Sequence, residues 1–430
     1  MEKLFVGVAR EVITPEVGCQ LFGYRPDIFS TQVADDLTAT AFYFRQGEKE
    51  ALMISATVCT VKTELAQEIC AEIEKSVGVP KESCILSATH THSGPNVSGD
   101  VGWGDIDEKY CSSIFVPKIL SACRQAKAAA EEATMGFAVG NSLVGINRRE
   151  LTPRNTVNLG QNPWGPFNPR MTVISFKNKE KVIGNMIHYG CHGTAAGMNT
   201  EITRDWSGLM TDAVERISGA ITAFFNGPEG DVGPRLSNGG TCGDLSHVHE
   251  LGAIAARDAM DIYRNILSYH EVPLLVSEKT LEIPLAPRMS VEEATALFEA
   301  NKDMVRNLGK KRREHALEVL ASYENGYVEE EYFGFSQTAV GIGNVVFLGT
   351  PFELFSEIGM RINQMFPQME ILNLSNANGC EGYFATEDVL CRGGYEVDSY
   401  KYKYIQPFCE NADFEMFKAS VDHVESMIKE

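Results

Sequence analysis

His90-Thr91-His92-Ser93-Gly94-Pro95 sets two imidazoles two residues apart at the end of an apolar run, residues 83–88. The run reads as a short buried strand. Residues two apart share one face of a strand, so His90 and His92 are expected to point into one space. Ser93-Gly94-Pro95 then ends the strand and opens a loop. Two imidazoles at a strand end suit a metal ligand beside a catalytic or ligand-orienting partner. Taken alone, the motif fits a pair of polar histidines at a strand edge equally well.

Four further segments have the same character, an apolar run that opens into residues useful for metal chemistry. They are His188-Tyr189-Gly190-Cys191-His192-Gly193-Thr194, Asn226-Gly227-Pro228-Glu229-Gly230-Asp231-Val232-Gly233-Pro234, Gly349-Thr350-Pro351-Phe352-Glu353 and Asn376-Ala377-Asn378-Gly379-Cys380-Glu381-Gly382-Tyr383. Glycine and proline crowded behind a buried strand imply a close backbone approach to something. Each segment also has a structural alternative: Glu353 as a helix-start carboxylate, Asp231 as a turn residue, Tyr383 as a core aromatic.

The elements that must position these loops alternate along the chain. Residues 4–8, 38–44 and 51–57 read as strands. Residues 61–77 read as an amphipathic helix, with Leu65, Ile69 and Ile73 four apart. Residues 171–176 and 181–188 read as a hairpin that feeds His192. Residues 206–217 and 246–267 are expected to be helical, with a short strand at 221–225 between them. Residues 345–348, 353–365 and 370–374 add strand, helix and strand. Residues 290–323 form a charged helical segment, read as a solvated hairpin or as a lid. The expected fold is α/β, one mixed domain over residues 1–430 with its site on loops at strand ends.

Composition narrows the function. Hydrophobic residues at 44% and charged residues at 22% describe a globular chain, and the formal net charge is −20. That balance, with no basic run, argues against nucleic acid as a partner and against an anionic membrane surface. No stretch approaches the roughly 18 apolar residues of a membrane span. The eleven cysteines are scattered, with no Cys-x-x-Cys. They read as free thiols of a reducing compartment and not as the metal site, so the chain is expected to be cytoplasmic.

Taken together the motifs resemble the neutral/alkaline (non-lysosomal) ceramidases. The likeness rests on His90-Thr91-His92-Ser93-Gly94-Pro95, Asn147-Arg148, Cys191-His192-Gly193-Thr194, Gly230-Asp231-Val232-Gly233-Pro234, Pro351-Phe352-Glu353 and Gly382-Tyr383, in that order. It extends to Gly7–Pro15, Phe22-Gly23-Tyr24 and Gly393-Gly394-Tyr395-Glu396, and so spans roughly residues 5–400. The resemblance implies a zinc ion held by two histidines, a glutamate and a tyrosine, which match His90, His192, Glu353 and Tyr383 here. It also implies His92 and Arg148 around the scissile group. Asp231 is expected to orient a ligand histidine. Asp205 reads either as a similar partner or, more simply, as a helix cap.

The chain departs from the family in ways that bear on mechanism. Gly233 stands where the family carries a serine and Cys380 where many members have a further tyrosine, and the family's C-terminal β-sandwich is not expected within these 430 residues. A glycine supplies no nucleophile, so the expected reaction is attack of zinc-bound water on the amide, or less favourably the ester, of a small N-acyl substrate. His92 would act as the proton-transfer group and Arg148 as a fixed cation. A ceramidase acting on sphingolipid amides and a metal-binding module without catalysis are the alternatives. His247 and His249 lie two apart on a helix and so cannot chelate from one face. His188 reads as a satisfied strand histidine, and His270, His315 and His423 as surface groups.

Overall fold

Three strand–helix–strand units, each with its two strands parallel, organise the computed structural model, which describes residues 2–429. In the first unit, strand Lys49–Ala56 is followed by helix Thr63–Val77 and by strand Cys84–Ala88 alongside it. The second runs Val182–Tyr189, helix Asp205–Ser218, Thr222–Asn226. The third runs Val345–Gly349, helix Ser356–Gln364, Glu370–Leu374. A parallel pair requires such a crossover, because the chain must return to the starting edge before the second strand begins.

Antiparallel neighbours complete each sheet. Thr38–Gln46, Phe5–Val12 and the short Glu131–Glu132 extend the first; Arg170–Lys177 and Thr134–Asn141 extend the second; Tyr332–Ile342 and Leu274–Pro284 extend the third. A smaller sheet joins Val232–Pro234, Gly145–Leu151 and Val157–Asn162.

Period-two alternation sends the two faces of each sheet to different cores. Phe42, Phe44, Met53, Met186, Phe225, Val345 and Phe347 meet in a central cluster shared by the three large sheets. The opposite faces carry Tyr43, Leu52 and Ile54 against helices Thr63–Val77 and Val116–Ala128. Ile187 and Tyr189 pack toward helix Leu245–Arg264, and Val346 and Leu348 toward helix Ala412–Lys429. Each large apolar side chain so buried contributes about 1.5–3 kcal/mol.

The mixed α/β class expected from the sequence is the observed one. Two readings of histidines change. His315 and His423 are buried, not surface groups. Helix Ala412–Lys429 carries His423 between Gln337 Oε1 at 3.0 Å and Ser277 Oγ at 3.1 Å, so hydrogen bonds to the third sheet replace water. His270 is exposed, as read. The segment 290–323 is a helical pair, Val291–Asn301 and Asn307–Glu324. Asn307 N donates to Gly102 O at 3.2 Å, and its Nδ2 donates to Tyr24 O at 2.7 Å, which ties the pair to the loops beside the histidines. Among the described residues no helix is long and apolar enough to cross a membrane.

Candidate metal centre

The loops at the carboxyl ends of the three parallel pairs converge, the usual place for a site in open α/β sheets. His90 and His92 follow Cys84–Ala88, His192 follows Val182–Tyr189, and Glu353 follows Val345–Gly349.

His90, His192 and Glu353 meet in the interior. Glu353 Oε2 lies 3.4 Å from His90 Nε2 and 3.3 Å from His192 Nε2, and all three side chains are buried. The other nitrogen of each imidazole is committed to backbone. His90 Nδ1 donates to Cys59 O at 2.9 Å, and His192 Nδ1 donates to Glu229 O at 2.9 Å and Val232 O at 3.1 Å. A proton held on Nδ1 leaves Nε2 as a bare lone pair, the tautomer a metal requires. His192 Nε2 and Glu353 Oε2 have no hydrogen-bond partner among the described residues. Buried polar atoms are rarely left so.

The spacing fits a small divalent ion. Ligand atoms about 2.0–2.1 Å from a tetrahedral zinc lie about 3.3–3.4 Å from one another. Tyr383 is the paired residue of Glu353 across the short parallel strands Glu353–Leu354 and Tyr383–Phe384. Its ring lies parallel to that of His192, with centroids 6.5 Å apart.

His92 reaches the same place by a different route from the one expected. The strand stops at Ala88, and His90 takes a left-handed backbone with φ 65°. That conformation costs a non-glycine residue about 1–3 kcal/mol. The turn, not a shared strand face, brings His92 Nε2 to 3.3 Å from His90 Nε2. Gly23 makes room for the imidazole, since a Cβ there would stand 2.3 Å from His92 Nδ1. Burial, the largest cause, holds His92 well below the usual histidine range. The ring is therefore neutral at pH 7.

Arg148 and Asp231 differ from expectation. Arg148 lies behind Tyr383, with its guanidinium donating to the Tyr383 hydroxyl at 2.9 Å and to Glu396 Oε1 at 2.8 Å. Arg149 donates to the other oxygen of Glu396 at 2.7 Å, so one buried carboxylate holds both arginines. The Asp231 carboxylate touches neither ligand histidine. It accepts from Ser356 N at 2.7 Å and Asn147 Nδ2 at 3.0 Å, because helix Ser356–Gln364 begins beside it and offers an unsatisfied N–H. Burial raises Asp231 to about 6.

Backbone carbonyls and three side chains outside the expected set hold the histidines. Asn376 Nδ2 donates to Glu229 Oε1 at 2.8 Å and lies 3.2 Å from His90 Nδ1, which links the two ligand loops. Burial raises Glu229 to about 8. Trp206 Nε1 donates to His192 O at 3.0 Å. Asp205, beyond beginning a helix, accepts from Ala195 N at 3.2 Å and Ala196 N at 2.9 Å and so fixes the loop after His192. The Cys59 thiol lies 3.8 Å from His90 Nδ1, but that nitrogen already serves the Cys59 carbonyl, and burial pushes the thiol's pKa up. His247 Nδ1 pairs with Asp244 at 2.9 Å, away from the centre.

A cavity of about 310 Å³ opens on His90, His92, Glu353 and Tyr383. Phe22, Trp103 and Tyr395 give it an apolar wall, while Asp100, Lys311, Glu381 and Lys403 give it charge. At Gly233 an added Cβ would stand 2.8 Å from Thr241 Cβ and Cγ2, so the Thr241 side chain fills the space a larger residue would need.

This set of buried nitrogen and oxygen donors sits at the convergent ends of three parallel units in a mixed α/β protein. The chain belongs to the neutral/alkaline non-lysosomal ceramidase family: the profile of that family's N-terminal region matches residues 4–252. It is thus a hydrolase of the ceramidase family. The neutral ceramidase from Pseudomonas aeruginosa is a similar solved structure, at TM-score 0.76 and 19% identity over 99% of this chain and 75% of that one. A ceramidase complexed with C2 superposes at TM-score 0.77, with 17% identity over 100% of this chain and 76% of the other. At such identity the likeness is one of fold. No curated protein sequence matches the chain.

Proposed function

We propose that the chain is a zinc-dependent hydrolase that cleaves the amide bond of a small, polar N-acyl compound. The observation that carries this reading is Glu353 Oε2 set 3.3–3.4 Å from the Nε2 atoms of His90 and His192, with Glu353 Oε2 and His192 Nε2 unpartnered, beside a cavity with charged walls. His90, His192, Glu353 and Tyr383 are the residues that would hold the ion. Donors of nitrogen and oxygen without thiolate suit a hydrolytic zinc. When bound, zinc polarises a carbonyl and lowers the pKa of water from 15.7 to about 7.

The chain's own residues supply the rest. Neutral His92, on the cavity wall, takes a proton from the attacking water and returns it to the leaving nitrogen as the C–N bond breaks. Arg148 keeps the Tyr383 hydroxyl in place, and its charge stabilises negative charge that develops nearby. Glu396 positions Arg148, and Asp231 anchors the helix that follows Glu353. Gly233 offers no side-chain nucleophile, so water is the nucleophile. A cavity of about 310 Å³ is at the small end of ligand sites, which run about 300–1,000 Å³. Family membership keeps ceramide as the second reading, with Phe22, Trp103 and Tyr395 as the surface an acyl chain would meet.

The test is hydrolysis of a panel of N-acyl amides and esters, ceramide included, by chelated protein with and without added zinc. Zinc-restored turnover of small N-acyl amides above ceramide is the expected result. Stoichiometric zinc uptake with no turnover of any member would sink the hydrolase reading.

A further inference from the structure

The ammonium of Lys403 is the cavity's uncommitted cation. It lines the same cavity as His90, Glu353 and Tyr383, and it makes no hydrogen bond or ion pair among the described residues. Its side chain runs over Gly382, where an added Cβ would lie 3.8 Å from Lys403 Cδ. Four carboxylates line the cavity: Glu353 belongs to the donor set, Glu64 pairs with Lys62 at 3.7 Å, and Asp100 and Glu381 are engaged by other donors. Asp100 Oδ2 accepts from Lys311 Nζ at 3.0 Å, and its Oδ1 accepts from Val101 N at 2.9 Å. Glu381 accepts from the hydroxyls of Thr63 and Tyr404.

A cation held in a partly closed cavity without a direct partner is costly unless something pairs with it. We infer that Lys403 is a specificity-determining residue that receives the single negative charge of the substrate, so that the preferred substrate is a small N-acyl compound bearing one carboxylate. The like charge of Asp100 and Glu381 beside the ammonium disfavours a dianion, which selects a monoanion such as a carboxylate. Burial opposes the ammonium's charge, but Asp100 and the other acidic neighbours outweigh it, so Lys403 keeps its proton. Lys311 and Lys62 share the cavity but pair with Asp100 and Glu64, which leaves Lys403 as the recognition group. This inference rests on the hydrolase reading for the scissile bond, though not for the binding of the anion.

The experiment is titration calorimetry of chelated protein with N-acetylglycine and with its neutral amide, N-acetylglycinamide, on the parent chain, Lys403→Gln and Lys403→Arg. Chelation keeps metal from capturing the carboxylate. The acid is expected to bind at least tenfold more tightly than the neutral amide to the parent. Lys403→Gln should abolish that preference and leave the neutral ligand unchanged, and Lys403→Arg should restore it. Circular dichroism confirms that each variant is folded. Equal binding of the two ligands, no binding of either, or an undiminished preference in Lys403→Gln overturns the assignment. Parallel turnover of the same pair by zinc-loaded protein separates the two readings: anion preference without hydrolysis supports Lys403 and sinks only the hydrolase.

Discussion

Glu396 accepts from Arg148 Nε at 2.8 Å and from Arg149 at 2.7 Å in an interior where all three groups are shielded from water. Removing one partner of a buried ion pair leaves an uncompensated charge, and this change would leave two. Glu396→Gln should therefore cost about 3–5 kcal/mol. The drop should appear as a lower urea midpoint at unchanged slope. A loss below about 1 kcal/mol would mean that water reaches the guanidinium groups.

At this scale the sequence was informative where chemistry resides in a side chain. His90, His92, His192, Glu353 and Tyr383 were read from residue type and motif order, and the fold brings them to one place. The partners that fix the imidazole tautomers were not legible. They are the carbonyls of Cys59, Glu229 and Val232, and any residue supplies a carbonyl. Glu396 lay within a motif, but nothing in its spacing announced two arginines some 250 residues away in the chain.

Among the elements, the three strand–helix–strand units were legible because each passes from a short apolar run to a four-residue apolar period and back. The long strands Leu274–Pro284 and Tyr332–Ile342 are not legible in the sequence. Their outer positions, such as Glu278, Lys279 and Ser336, are polar and exposed, which dilutes the alternation. The small sheet that carries Gly233 matters for the site in a different way. Val232–Pro234 pairs with Gly145–Leu151, which places Gly233 opposite Ile146 with Thr241 packed onto it. Gly233→Ser should be destabilised by about 1–3 kcal/mol through overpacking. Pairing it with Thr241→Gly removes the obstructing Cβ. A double-mutant cycle on thermal or urea midpoints should return a favourable coupling of about 0.5–3 kcal/mol. Additive effects would show that Thr241 does not set the limit at this position.

At the scale of the molecule, the donor set is spread across the whole architecture. His90 belongs to the first parallel unit, His192 to the second and Glu353 to the third, so an ion held by all three would join sheets that also meet in the central apolar cluster. Without an ion, the bare Nε2 of His192 and the unpartnered Glu353 Oε2 are a defect in that junction. Binding to the folded chain alone stabilises it by mass action, about 2.7 kcal/mol when free metal is 100 times its dissociation constant. For a chain of 430 residues, with an unfolding entropy near 2.1 cal/mol/K per residue, that gain corresponds to a rise of about 3 °C in the thermal midpoint. Chelation should lower the midpoint by at least that amount and zinc should restore it, with one zinc bound per chain by elemental analysis. In Glu353→Ala the zinc-dependent increment should vanish, because the remaining histidines come from only two of the three units. An increment that survives Glu353→Ala would place the stabilising ion elsewhere in the molecule and remove the junction from its explanation.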